Sequence, residues 1–144
     1  MFVFGTTTLI SRLINGNYPD YKQIIPTTEK TKALINKNEL LRAVKASSLF
    51  SKNGINDVFI QFKKNQIIVS SFSNLSGESK IKIAAETEGE LENEITVNYK
   101  YLVDGLNNIE TERVEIGVLN NNTPCLIRKE KEDDYLYIIM PIKQ

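Results

Sequence analysis

The chain has 144 residues, 41% hydrophobic and 25% charged, with 18 basic and 18 acidic side chains and no histidine. That length fits one domain burying roughly two-thirds of its unfolded surface. Zero net charge argues against a tight, free-standing nucleic-acid binder. The missing histidine removes His-based triads, general bases and metal sites, and the single Cys125 builds neither an internal disulfide nor a Cys-rich zinc site.

The N-terminus, MFVFGTTTLISR, lacks the basic segment and long apolar core of a signal peptide. No apolar run approaches the roughly 20 residues that span a bilayer, so a cytoplasmic protein without a membrane partner is expected. VFGTTTLISRL reads as the end of a strand in need of partners. INGNYPDYKQIIP reads as a turn-rich connection punctuated by Gly16, Pro19 and Pro26. Residues 1–26 are therefore expected to be the trailing strand and linker of a preceding domain, and residues 27–144 a second domain.

An internal repeat organises the second domain. ALINKNELLRAV (Ala33 to Val44) aligns with ITVNYKYLVDGL (Ile95 to Leu106), placing Asn36 on Asn98, Leu40 on Leu102, Leu41 on Val103 and Val44 on Leu106. Each copy is a short apolar strand, a capping Asn, then a helix with apolar residues at helical spacing. Asn36 and Glu39 suit an Asn version of a capping box. Leu40, Leu41 and Val44 are expected to be buried in the first helix, with Asn38, Arg42 and Lys45 outside. In the second helix Leu102, Leu106 and Ile109 are expected inside, with Lys100, Asp104 and Asn107 outside; Gly105 weakens it by about 1 kcal/mol relative to alanine.

Three strands are predicted after each helix: 57–62, 66–71 and 80–85, then 113–118, 124–129 and 135–140. A Lys63-Lys64-Asn65 turn joins the first two. The chain thus reads strand, helix, three strands, twice over. The expected fold is α+β, with sheets on one side and both helices on the other.

Neutrality conceals an asymmetry. Residues 1–64 hold ten Lys/Arg and four Asp/Glu, net +6; residues 65–144 hold eight and fourteen, net −6. The run Glu86, Glu88, Glu90, Glu92 and Glu94 alternates with other residues, as a solvated strand face does; calcium binding needs a defined ligand loop. No Gly-rich phosphate loop occurs, and neither metal nor cofactor is called for. The last ten residues, YLYIIMPIKQ, stay apolar almost to the carboxylate. Pro141 cannot donate to a ladder, so pairing should stop near Met140 and leave Ile142, Lys143 and Gln144 projecting. The segment is then either an edge strand closing the core or an apolar wall for docking.

The lead-in TLISRLINGNYPDYKQIIP, the doubled strand-helix unit and the closing YLYIIMPIKQ together resemble the C-terminal part of the bacterial sliding clamp, the beta subunit of the replicative DNA polymerase. The resemblance covers nearly the whole chain and is most specific at its ends: the domain junction and a closing Tyr-x-x-Met-Pro-x-basic pattern. It implies a non-catalytic processivity factor that needs no cofactor. Clamp domains join into a homodimeric ring around duplex DNA, and polymerase, clamp loader and repair polymerases dock through short hydrophobic motifs. Lys and Arg facing phosphates carry no sequence information and permit sliding.

Carried over by position, the peptide pocket would use Pro19, Gln23, Ile24, Asn98, Tyr101, Pro124, Ile138, Ile139, Met140, Pro141, Ile142 and Lys143. Ile138 or Ile139 could instead be core, because adjacent strand residues face opposite sides. Arg42, Lys45 and Lys100 would face DNA, or are simply solvated. Leu49 and Phe50 match the apolar pair at the family's subunit interface, or are local core. The chain departs from the pattern in four places. Lys80 and Lys82 stand, with only Glu78, on a strand that is richly acidic in many clamps; Gln23 replaces a frequent arginine; Gln144 replaces a frequent leucine. The bacterial ring needs three domains per subunit. A fragment is therefore expected, and a stand-alone adaptor that binds clamp-interaction peptides without encircling DNA is the alternative.

Overall fold

The computed structural model describes residues 1–52 and 54–143, and within them all side chains but those of Glu132 and Asp133. Two three-residue strands, β1 (Phe2–Phe4) and β2 (Thr7–Leu9), form a hairpin around Gly5, whose φ of +58° suits a residue without Cβ. The sequence predicts one continuous strand here; the glycine reverses it instead. Every residue from Met1 to Ile24 is exposed. A single 3-10 turn, Tyr21–Gln23, is capped by Asp20.

The rest is β3 (Thr31–Asn36), α1 (Lys37–Ser48), β4 (Asp57–Lys63), β5 (Gln66–Ser73), β6 (Gly77–Gly89), β7 (Glu94–Asn98), α2 (Tyr99–Asn107), β8 (Arg113–Val118), β9 (Cys125–Lys129) and β10 (Glu132–Ile139). This is the predicted strand-helix-three-strand unit, twice. Both capping asparagines act as expected: Asn36 Oδ1 accepts from Glu39 N at 3.1 Å and Asn98 Oδ1 from Lys100 N at 2.9 Å. Leu40, Val44, Leu102, Leu106 and Ile109 are buried. Leu41 is only partly buried, and Ala43 and Ser47 take the inner face of α1 in its place.

The eight strands after the lead-in form one curled antiparallel sheet, ordered β10-β9-β8-β3-β6-β5-β4-β7. The two repeats interlock across it. β3, which opens the first repeat, pairs with β8 of the second (Asn36↔Arg113), and β7, which opens the second, pairs with β4 of the first (Asn98↔Asp57). The sheet's inner face and both helices enclose the core, in which Ile35, Leu40, Val44, Ile60, Phe62, Ile67, Leu102 and Ile116 are almost wholly buried.

β6 is longer than its predicted span because its two halves serve different neighbours. Residues 77–84 pair with β5, and Ala85–Gly89 turn to β3. The acidic run is thereby dispersed among ion pairs: Glu86 with Arg113, Glu90 with Lys30, Glu92 with Lys63. In the second repeat Pro141 stops the equivalent extension. One hydrogen bond remains, Ile142 N to Thr96 O at 2.8 Å, tying the chain end to edge strand β7. The expected free flap is therefore corrected at Ile142, which bridges from one edge strand of the curled sheet to the other. Gln144 lies outside the described residues.

Candidate docking site and helix face

The terminal strand presents two different faces. Tyr135, Tyr137 and Ile139 alternate toward the helices; Leu136, Ile138 and Met140 take the other side. Ile139 is 2% exposed and belongs to the core cluster, so its assignment to the pocket is corrected: the strand's pleat turns its side chain inward. Ile138 is partly buried, Met140 is 61% exposed, and Pro141 and Ile142 are partly buried. Pro124, also partly buried, directly precedes Cys125, the last residue paired with β10 opposite Ile139. Pro124 and Met140 thus share one end of the sheet.

The bond from Ile142 to Thr96 brings the tail to β7, two residues before Asn98. Ile142 and Lys143 line a hollow with Phe59, Glu94, Ile95, Thr96, Asn121 and Asn122. Asn98 closes β7 and starts α2; besides its cap it donates Nδ2 to Ile55 O at 3.5 Å. Tyr101, one turn into α2, is 57% exposed. The lead-in residues Pro19, Gln23 and Ile24 are exposed, and Gln23 Nε2 donates locally to Asp20 Oδ2 at 3.0 Å. The structure brings Pro124, Ile138, Met140, Pro141 and Ile142 together at one end of the sheet. It holds Asn98 and Tyr101 at the adjoining helix start, and Pro19, Gln23 and Ile24 in the solvent-exposed lead-in.

Two supports of this region carry no motif. The Tyr135 and Tyr137 rings stack in parallel, 6.5 Å apart, and Tyr135 Oη donates to Gly105 O at 3.3 Å, fixing β10 against α2. Burial raises both phenol pKa values, and Asp104 and then Tyr135 and Tyr101 push Tyr137 further up. The alternation of tyrosines on β10 was the available signal. On the outer face, Glu29 accepts from Arg128, which also pairs with Glu115; that carboxylate lies against Gly117, where a Cβ would meet Glu29 Oε2 at 2.5 Å. The Glu29 hydrogen bond holds the Arg128 guanidinium charged. No local signal joins residues 29, 117 and 128.

On the helical face, Arg42, Lys45 and Lys100 are exposed and without an ion-pair partner among the described residues. Exposed Glu39 and Asp104 share the face, and Lys37 is engaged with Ile109 O at 2.6 Å. At the end of α1, Leu49 is 75% exposed, whereas Phe50 turns partly inward against Gly77.

A doubled strand-helix unit with a curled antiparallel sheet and two helices on one face is the fold of a DNA-clamp domain. The chain belongs to the family described as DNA polymerase III beta subunit, C-terminal domain, whose profile matches residues 22–143. It is 30% identical over 146 residues to the beta sliding clamp of Bacillus subtilis, covering 99% of this chain and 38% of that protein. The beta sliding clamp of Staphylococcus epidermidis is 28% identical over 144 residues, with the same coverage. Among solved structures, the DNA polymerase III beta subunit of Thermotoga maritima superposes with a TM-score of 0.87 at 33% identity, over 92% of this chain and 36% of that one. The sliding clamp of Bacillus subtilis gives 0.86 at 33%, over 93% and 36%. The chain therefore spans well under half the length of the relatives it matches.

Proposed function

We propose that this chain acts as the C-terminal clamp domain of a bacterial processivity ring, with residues 1–26 as the end and linker of the domain before it. The ring encircles duplex DNA and performs no bond chemistry. Its work is tethering: a polymerase docked on the ring stays at high effective concentration beside the primer end. The cytoplasm is the compartment where such a ring acts. No helix among the described residues is long and apolar enough to cross a membrane.

The observation that carries this reading is the tail's return to β7, which sets exposed Met140 and partly buried Pro141 and Ile142 near the Asn98–Tyr101 helix start. An exposed, adaptable thioether beside isoleucine gives an apolar floor, and helix-start and edge-strand amides orient a bound peptide. Pro19, Gln23 and Ile24 complete the wall from the linker side. Arg42, Lys45 and Lys100, offset by Glu39 and Asp104, fit loose contact with phosphates better than tight binding. Leu49 and Phe50 lie at the contact with the next subunit.

The test has two arms. The clamp-binding peptide of a replicative polymerase is titrated into the chain, and retention on circular against linearised DNA is measured for the ring containing it. Peptide binding with retention on circles only is expected. Peptide binding with no retention in any assembly supports the adaptor instead, and absence of peptide binding overturns the docking site.

A further inference from the structure

The linker meets the folded sheet at Glu29. Register sets the outer face of β8 and β9: Ile116 and Ile127 are paired core residues, so the flanking pairs Glu115↔Arg128 and Gly117↔Leu126 point outward. Leu126 is nevertheless 0% exposed, and Ile138, its partner on β10, is partly buried. Pro26 and Thr27 border a hollow on this face with Lys32, Glu115 and Arg128. The Glu29 side chain sits there only 7% exposed, in space left open by Gly117. Arg128 holds one of its carboxylate oxygens. The other has Lys32 Nζ at 3.6 Å and no hydrogen-bond partner among the described residues.

Upstream of Glu29 the chain is stiff but untethered. Gln23 N donates to Asp20 O at 3.2 Å, Ile24 N to Tyr21 O at 3.0 Å and Gln23 Nε2 to Asp20 Oδ2 at 3.0 Å, all within the turn. Among the described residues, none from 10 to 28 hydrogen-bonds to the sheet, so Glu29 makes the first tie. Pro26 locks its own φ and disfavours helical backbone at Ile25. Only Thr27 and Thr28 separate that stiff piece from Glu29.

We propose that Glu29 is a positioning residue of the docking site: held over Gly117 by Arg128, it fastens the linker and so sets Pro19, Gln23 and Ile24 against the incoming peptide. The inference rests on the docking reading for those three residues. Glu29 is too buried to touch a peptide itself. The bond from Lys30 N to Val118 O at 3.0 Å fixes where the chain joins the sheet, and the Glu29 carboxylate fixes the direction from which it arrives. A buried ion pair contributes little net stability once desolvation is counted; what this one specifies is geometry. A wall in place for only a fraction of the time lowers apparent affinity by that fraction. The floor of Ile138, Met140 and Pro141 is set by β10 and its end, independently of this tie.

The probe is the clamp-binding peptide of a replicative polymerase, titrated into the 15N-labelled full chain. Glu29→Ala is expected to weaken binding about five- to ten-fold and to lower the 15N order parameters of Asp20–Ile24 in the free chain. Arg128 keeps Glu115 at 3.3 Å, so no unpaired charge is left behind, and a cooperative melt checks the fold. Glu29→Gln, which retains an acceptor for Arg128, should lose less affinity than Glu29→Ala. In a background of Gln23→Ala with Ile24→Ala, Glu29→Ala should have no further effect, because it acts only through the wall. An equal loss in that background, unchanged order parameters, a greater loss with Gln than with Ala, or wild-type affinity in Glu29→Ala overturns the proposal. If Gln23→Ala with Ile24→Ala leaves affinity intact, the linker part of the docking reading fails and takes this inference with it. If that pair weakens binding and Glu29→Ala does not, only this inference fails.

Discussion

Gly105 costs α2 about 1 kcal/mol relative to alanine, yet a Cβ there would lie 2.5 Å from Tyr137 Cδ1 and 2.6 Å from its Cε1. The helix gives up propensity so that a ring can pack against its backbone. Gly105→Ala is therefore expected to destabilise the fold by about 1–3 kcal/mol in denaturant titration, because overpacking outweighs the helical gain. Tyr137→Leu in that background should recover part of the loss; strict additivity would refute the contact. Cys125 offers a second residue-scale test. It is 1% exposed, and burial pushes its thiol from 9.0 up to about 12, with Glu29 adding to the rise. Below pH 9 folded and unfolded chains both keep the proton. Between pH 9 and about 12 only the unfolded chain loses it, so stability falls as pH rises through that window. Cys125→Val should flatten this fall relative to wild type, the tyrosines contributing equally to both. A slope unchanged by the substitution would count against it.

Among the elements, the two helix caps separate architecture from function. Asn36→Ala and Asn98→Ala should each cost about 1 kcal/mol in thermal or chemical melts. Only Asn98→Ala should also weaken docking peptides, since Asn98 adjoins the tail whereas Asn36 pairs with Arg113 across the sheet. Equal effects on peptide affinity would remove Asn98 from the site. The elements differ in how far local pattern predicts them. Strand 113–118 matches its predicted bounds because its apolar residues lie between polar Thr111-Glu112 and the Asn120-Asn121-Asn122 turn. β6 does not: the strand predicted over 80–85 runs on to Gly89, where pairing of Glu86, Thr87 and Glu88 with Leu34, Ala33 and Lys32 joins the acidic alternation to it. The N-terminal hairpin escapes local pattern for the opposite reason, a single glycine reversing an otherwise strand-like run.

For the molecule as a whole, cross-pairing of β3 with β8 and of β4 with β7 makes each repeat depend on the other. The tail then joins the edge strands through Ile142 and Thr96. Because Met140 is 61% exposed while Ile139 is 2% exposed, Met140→Ala with Pro141→Ala should weaken peptide binding and leave the melting transition cooperative. Unchanged affinity in the folded double variant would sink the pocket assignment. Ile139→Ala, by contrast, should cost about 2–5 kcal/mol through the cavity it leaves. The two outcomes distinguish wall from core on adjacent residues.

Some of this was settled along the chain alone. Period, caps and turns are local, so the doubled strand-helix unit, the asparagine caps and the buried stripe of α2 were legible without coordinates. The family resemblance pointed to the apolar tail. Which side of β10 faces the core, how Glu29 reaches Arg128 and Gly117 and why position 105 is glycine depend on contacts between distant residues. Those are decided by sheet register, and a register shift of one residue turns every side chain to the other face. Only the tertiary structure sets that register here, and with it the division of Tyr135 to Ile142 into buried core and exposed surface.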